Sequence, residues 1–425
     1  MKLKTTILAV TAAIAACTAM SDVSVEDVKC IQRYPWNGLV DIEYTIACDD
    51  PEAEIYVNPV GFNGDTGLTV FPTHFTGDGA TNTVKAGKHT MVWDAKADMG
   101  NLFASKNFQI KMYAGKTLAP YVVVDLSSGP DGEHFPIRYS LTGPDISDDA
   151  CRTTELWLRL IPPGTFMMGS PADELGRSDN EDLHKVTITQ PFYIGVFEVT
   201  NEQFYRVTGR YDGGCWGHLR PCYPVVNVEC MWNLRGPIKE YPPTGMVVLG
   251  NKFWGMLRTK TQKNGFDYPT EAQWEYACRL GEQAALNNGS YLSGTHGCSN
   301  LDKLGQYYVN GYNGRNVDWS AVECTPTAKA GSYKPNKFGL YDMHGNVKEM
   351  CRDAYIANLG EGEAVDPLPV GDLENADTRW SHVIKGGGWQ SGAAGCRSAS
   401  RHSLYCGASG DTFGLRISCP GNLQK

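Results

Sequence analysis

The hydrophobic pattern changes character along the chain. Behind the positive Lys2 and Lys4, an apolar run from Thr5 to Ala16 is built on Ile7, Leu8, Val10 and Ile14, and small residues close it. That run is shorter than the roughly 20 residues a spanning helix needs, and residues 1–20 read as a secretory signal peptide. From 21 to 118 apolar and polar residues alternate in short stretches. Val23, Val25 and Val28 open the first, and Leu39-Val40-Asp41-Ile42-Glu43-Tyr44-Thr45-Ile46 keeps a period of two. Stretches at 54–57, 89–93 and 108–113 follow, separated by Gly, Asn, Asp and Pro clusters. Short strands between such turns predict an immunoglobulin-like β-sandwich over 21–118.

Residues 119–155 read as a bridge, one strand at 121–126 and then a Ser/Gly/Pro/Asp-rich linker. Beyond it, short strands and long loops dominate, with two helix signals. Thr200 caps a helix over 201–207, and Thr270, preceded by Pro269, caps a better one through Ala277. Trp274, Ala277 and Cys278 form the inward stripe of the second. The chain therefore predicts an α+β protein, with a folded C-terminal domain over 156–420.

Charge and cysteines narrow the setting. A formal charge of −9 without a basic cluster excludes nucleic acid as a partner, because phosphates demand Lys and Arg. Fourteen cysteines in an exported chain predict several disulfides, with Cys30–Cys48 and Cys215–Cys222 suggested by spacing. Ile14-Ala15-Ala16-Cys17 also has the form of a lipobox, so the mature end is either a lipid anchor at Cys17 or a plain cut after Ala19 or Met20. Localisation is exported in both cases: periplasmic, extracellular or lipoprotein-anchored.

Several phrases of the C-terminal domain occur together in one family. They begin with Ile161-Pro162-Pro163-Gly164-Thr165-Phe166-Met167-Met168-Gly169-Ser170 and Phe192-Tyr193-Ile194-Gly195-Val196-Phe197-Glu198-Val199-Thr200-Asn201. Pro224-Val225-Val226-Asn227-Val228 and Tyr268-Pro269-Thr270-Glu271-Ala272-Gln273-Trp274-Glu275-Tyr276-Ala277 follow. Phe338-Gly339-Leu340-Tyr341-Asp342-Met343-His344-Gly345-Asn346-Val347, Lys385-Gly386-Gly387-Gly388-Trp389, Cys396-Arg397-Ser398-Ala399-Ser400-Arg401 and Gly414-Leu415-Arg416 complete the series in order. From Leu156 to Cys419 the domain thus resembles the formylglycine-generating enzyme, or sulfatase-modifying factor, family. The resemblance implies a C-type-lectin-like fold with little regular structure. It also implies one of several functions: copper-dependent oxidation of a sulfatase cysteine, a half of an iron sulfoxide synthase, or no assigned chemistry.

Two site expectations come with it. The family binds calcium at positions matching Asp342, Gly345, Val347 and Glu349, two carboxylates and two carbonyls of the hard oxygen kind that Ca²⁺ prefers. The alternative is a capped turn whose carboxylates bond backbone N–H groups. A second calcium site is suggested at Asn300 and the carbonyl of Leu301, with Asp318 as a guessed partner. Where the family carries Trp-Glu-Trp, this chain has Lys348-Glu349-Met350.

The copper pair lies in the family just after the Gly-Gly-Ser-Trp/Tyr phrase. Here Ser391 replaces one thiolate, and Cys396 falls at the other or misses both, depending on where counting starts. Cu(I) needs two soft thiolates, so the pair is broken unless Cys351 or Cys406 approaches in space. The iron reading lacks its histidine cluster, since no HxH or HxxxH pair occurs and His344, His382 and His402 stand singly. The expected function is a calcium-stabilised extracellular recognition module or a diverged oxidoreductase; the alternative is a formylglycine-generating oxidase. Peptide, protein or carbohydrate would be held by the loops at 236–251 and 353–380, with Trp216, Trp254, Trp319 and Trp380 as aromatic subsites or as core.

Overall fold

A computed structural model of the chain describes residues 23–100, 105, 107–211, 220–228, 234, 248–312, 327–369, 381–405 and 407–423. Residues 1–22, with the expected signal peptide and Cys17, lie outside the described residues, as do Cys215, Asp318, Cys406, Trp216, Trp319, Trp380 and parts of both long loops. The chain divides into two compact units, Met1–Pro120 and Tyr121–Lys425.

The first unit contains two antiparallel sheets. One is ordered β1 (Val23–Gln32), β2 (Leu39–Cys48), β6 (Gly87–Asp94), β5 (Phe75–Gly77); the other is β4 (Leu68–Val70), β3 (Tyr56–Asn63), β7 (Phe108–Gly115). The period-two pattern explains the core. Val40, Ile42, Tyr44 and Ile46 of β2 are buried and meet Met91 and Trp93 of β6, with Val57, Ile110 and Met112 from the other sheet. Each such side chain contributes on the order of 1.5–3 kcal/mol by leaving water. A short helix α1 (Ala95–Met99) follows, its first turn capped by the Asp94 carboxylate, which accepts from Ala97 N–H.

The second unit begins earlier than the sequence suggests. Residues 121–155 are not a linker: β8 (Tyr121–Asp125) and β9 (Ile137–Ser140) join a five-stranded sheet with β10 (Glu155–Ile161), β13 (Phe192–Gly195) and β19 (Ser418–Pro420). Val122, Val123 and Val124 are fully buried, so that apolar run has to pair, and it does so with β10. A single-turn helix α2 (Ala150–Thr153) precedes β10. A second sheet is ordered β11 (Gly164–Met168), β12 (His184–Ile188), β15 (Ala364–Val365), and a third β17 (His402–Tyr405), β16 (Ser381–Lys385), β14 (Lys348–Ala354), β18 (Phe413–Gly414).

Three longer helices punctuate the loops. Both expected ones are present: α3 (Asn201–Thr208) and α5 (Glu271–Arg279) each open on a reciprocal capping box, Thr200 with Gln203 and Thr270 with Gln273. That device satisfies two otherwise orphaned backbone donors. Between them α4 (Phe253–Thr261) has no side-chain cap and forms without the signal that marked the others. Trp254 on α4 is fully buried, packed edge-on against Tyr268 at 5.0 Å, so this tryptophan belongs to the core and not to a ligand subsite.

The expected disulfides do not appear among the described cysteines, all nine of which are free thiols. For Cys30–Cys48 the strand register gives the reason. Cys30 stands opposite Ile42, whereas Cys48 stands opposite Val23. Six residues at about 3.3 Å each put the two near opposite ends of the ladder, roughly 20 Å apart and far beyond disulfide reach. Cys222 is likewise free. Alkylation of the protein after denaturation, without reductant, should label both Cys30 and Cys48 in full. A Cys30–Cys48 cross-linked peptide in the same digest would mean that the β1–β2 register is different.

Candidate functional site

The third sheet sorts the candidate residues by face. Glu349 of β14 pairs with Lys385 of β16, and the next row is Met350, Ile384 and His402. Neighbours along a strand point to opposite sides. On one side, Glu349, Lys385 and Arg401 meet α5: Trp274 Nε1 donates to Glu349 Oε2 at 2.6 Å, Lys385 Nζ bonds Glu275 at 2.8 Å, and Arg401 bonds Glu271 at 2.7 and 2.9 Å. On the other side lie Lys348 and His402, near the loop that carries Ser391 and Cys396.

The proposed calcium residues fall on the first side and its margin, and their atoms are already engaged. Glu349 is fully buried and forked by Arg416, whose Nε and Nη2 donate to it at 2.5–3.0 Å. The remaining Arg416 donors reach the carbonyls of Gly195, Val196 and Tyr341. Asp342, in the left-handed region at φ 58°, accepts Gly331 N–H on Oδ2 at 2.6 Å, while its buried Oδ1 has no partner among the described residues. Gly345 has φ 119°, and a Cβ there would stand 2.2 Å from the Gln306 carbonyl, so only glycine fits. Val347 N–H donates to Glu198, a buried carboxylate that the sequence reading left out although Glu198 lay inside a quoted phrase.

Three buried carboxylates, Glu198, Asp342 and Glu349, thus share one guanidinium. Burial, reinforced by the Asp342 and Glu349 charges, pushes Glu198 well above the usual carboxylate range. Burial likewise raises Asp342 to about 6. The orphan Oδ1 and the excess of negative charge fit a cation; the commitment of both Glu349 oxygens to Arg416 and Trp274 does not. Among the described residues no three His, Cys, Asp or Glu side chains converge as a metal site. Of the second expected site, Asn300 Nδ2 donates to the Tyr291 carbonyl at 2.9 Å, and the Leu301 carbonyl accepts Leu304 N–H at 2.8 Å.

The candidate catalytic pair is equally informative. Cys396 is fully buried, and burial pushes its thiol up to about 12. Its carbonyl accepts from His344 Nδ1 at 2.7 Å, and His344 Nε2 accepts Asn287 N–H at 3.0 Å. These two bonds fix a neutral tautomer, and burial lowers the His344 pKa to about 4. Ser391 is half-buried, its Oγ accepting Gly388 N–H at 3.0 Å. Cys351 is buried, with a thiol raised well above its ordinary value by desolvation. His382 is buried and bonds the Cys351 carbonyl, whereas His402 is exposed.

If Arg416 holds this margin together, removing it strands Glu349 in the interior. Arg416→Met should lower unfolding free energy by about 3–5 kcal/mol. Adding Glu349→Gln should recover part of that loss in urea titrations. Equal destabilisation of the single and double variants would show that the ion pair is not the cause.

Comparison with known proteins places the fold in a lineage. A family model described as the sulfatase-modifying factor enzyme 1-like domain matches residues 147–419. The chain is 29% identical over 254 residues to the formylglycine-generating enzyme of Thermomonospora curvata, covering 53% of this chain and 80% of that protein. It is 28% identical over 244 residues to the chaperone protein LppX of Paenibacillus barcinonensis, covering 53% and 79%. With the serine/threonine-protein kinase pkn1 of Chlamydia pneumoniae it shares 30% over 270 residues, 62% of this chain but only 38% of the kinase. Among solved structures, PvdO from Pseudomonas aeruginosa aligns over 62% of this chain and 94% of its own, with 25% identity and a TM-score of 0.45. Since the matched segment is well over half of the 425 residues, the chain belongs to the sulfatase-modifying factor (formylglycine-generating enzyme) family.

Proposed function

We propose that the C-terminal unit is an extracellular recognition module that keeps the family scaffold without copper-dependent formylglycine formation. The observation that carries this reading is the state of the would-be copper ligands. Ser391 offers a hydroxyl where the family has a thiolate, and Cys396 is a sealed thiol held protonated by its surroundings. Copper(I) requires deprotonated soft ligands that a substrate thiol can approach. Relatives named as a formylglycine-generating enzyme, a chaperone and a serine/threonine-protein kinase match this chain, which agrees with the domain serving more than one role.

The apolar run behind Lys2 and Lys4 supports a protein exported from the cytoplasm, either free or tethered through a lipid at Cys17. The order β1-β2-β6-β5 beside β4-β3-β7 supports an immunoglobulin-like spacer in front of the module. The ligand is a peptide, protein or carbohydrate held by loops. The oxidase alternative retains one point in its favour: Cys298 shares the apolar cluster of Cys396, so a thiol pair could be sought there. Incubated with Cu(I) and a sulfatase-type cysteine peptide under air, the purified protein should give no aldehyde by mass spectrometry. Turnover abolished by Cys396→Ala would restore the oxidase assignment.

Calcium belongs to the same proposal as a stabiliser. Asp342 and the carbonyls of Gly345 and Val347 would hold it, and its chemistry would be to neutralise the Glu198–Asp342–Glu349 charge. The sign of the pH effect provides the test. An acid raised to about 6 takes up its proton more readily in the folded state, so its contribution is full below the unfolded value and lost as pH rises through 6. His344 runs the other way, losing stability as pH falls from 6.5 towards 4. The informative quantity is therefore the difference between wild type and Asp342→Asn. In chelator the variant should melt higher than wild type above pH 6; calcium should raise the wild type alone. Identical calcium responses in both proteins would remove Asp342 from any such site.

A further inference from the structure

The face of the third sheet turned away from α5 carries donors without charged partners among the described residues. Lys348 on β14 is half-buried, and its ammonium rests 5.5 Å from the centroid of the Phe413 ring, with no carboxylate partner among the described residues. Burial holds its pKa below the ordinary lysine value. His402 on β17 is exposed, with Nε2 3.4 Å from Ser400 Oγ. Ser391 Oγ accepts Gly388 N–H and so keeps its own proton to give away. Between Ser391 and His402 sits Gly395. A Cβ placed on it would stand 3.7 Å from Ser391 Oγ and 4.0 Å from His402 Nε2, so the bare glycine leaves a notch that both side chains border.

Among the described residues, most of the charges acting on His402 are positive. Lys348 is the largest charge acting on His402; Lys385 and Arg397 add to it, and Glu181 opposes it. Lys385 is neutralised by Glu275, and Arg397 by Glu174 and Glu181. Of these cations, Lys348 has no carboxylate partner among the described residues. A partly desolvated ammonium without one is costly, and a ligand that supplied negative charge would relieve that cost. The rest of the chain is acidic, with a formal charge of −9, so any attraction for anions must be this local.

We propose that the notch over Gly395 binds an oxyanion, a carboxylate or a phosphate borne by the ligand, with Lys348, Ser391 and His402 as its donors. The proposal rests on the recognition reading of the cleft and gives its ligand a chemistry. Neither the thiolate pair that the family carries at this loop nor the aromatic that it carries at the position of Lys348 would offer such donors.

The test uses the full chain, with inorganic phosphate, acetate and N-acetylglutamate as probes. The His402 imidazole is followed by proton NMR across a pH titration. A bound oxyanion favours imidazolium, so saturating probe should move the His402 titration to higher pH. Lys348→Met should weaken probe binding about tenfold, as expected for loss of one charge-assisted bond. Lys348→Arg should retain it, which separates charge from packing. Ser391→Ala should weaken it less than Lys348→Met. The probe acting at the lowest concentration tells phosphate from carboxylate. If no probe moves His402, or if Lys348→Met binds as wild type does, the oxyanion site is disproved. Copper turnover measured separately would overturn the recognition reading even where oxyanion binding is found, so the two failures are distinguishable.

Discussion

Buried guanidinium–carboxylate pairs are the constraint on which the second unit depends. A domain of short strands and long loops leaves many backbone carbonyls without a ladder partner, and each must be satisfied or exposed. Arginine, with five donors in a fixed fork, meets that need while pairing a carboxylate. Arg416 joins Glu349 to the carbonyls of Gly195, Val196 and Tyr341, drawing together segments more than 200 residues apart in sequence. Arg397 does the same for Glu174, Glu181 and the carbonyls of Gly176 and Ala394. Arg279 ties Glu275 to the carbonyls of Gly169 and Ala284. Desolvating such ions opposes folding, so their value lies in fixing one arrangement of loops more than in net stability.

The same low dielectric decides the chemistry beside these pairs. Glu275 stays below the ordinary carboxylate value because Lys385 and Arg279 outweigh its burial. Glu198 and Asp342, with less compensation, are pushed upward. For the thiols of Cys278 and Cys396 burial outweighs the neighbouring hydroxyl and cations, and both are raised to about 12. Cys298 goes the other way, because the hydrogen bonds it accepts outweigh its burial and hold it below the ordinary thiol value. Such an interior favours neutralising excess carboxylate charge with a proton or a cation.

What the sequence revealed and what it concealed follow from what periodicity encodes. The alternation of Val40, Ile42, Tyr44 and Ile46 announced a half-buried strand, and Thr200 and Thr270 announced two helix starts, because both signals are local. Burial of Glu271, Glu275 and Arg279 on α5 was not legible. Charged residues at those positions ordinarily mark a solvent face, and only Arg401 and Lys385, over 100 residues away, reverse that meaning. Glu349 illustrates the same limit: its spacing from Asp342 suggested a metal ligand, whereas its partner Arg416 lies 67 positions on. The Cys30–Cys48 pairing failed for a related reason, since spacing along the chain says nothing about register.

The period of two also explains how this fold can change function without losing its frame. Lys348, Glu349 and Met350 are consecutive, but Glu349 faces α5 and its guanidinium partner while its neighbours face the other way. A substitution at 349 would unpair a buried ion; one at 348 alters only the half-exposed face near Ser391 and His402. The chain departs from the family's Trp-Glu-Trp on both sides of that carboxylate and nowhere within it. Alternation thus separates the residue that holds the scaffold from those that set the chemistry of the cleft. Substitution can then proceed on one face while the ion-paired face stays fixed.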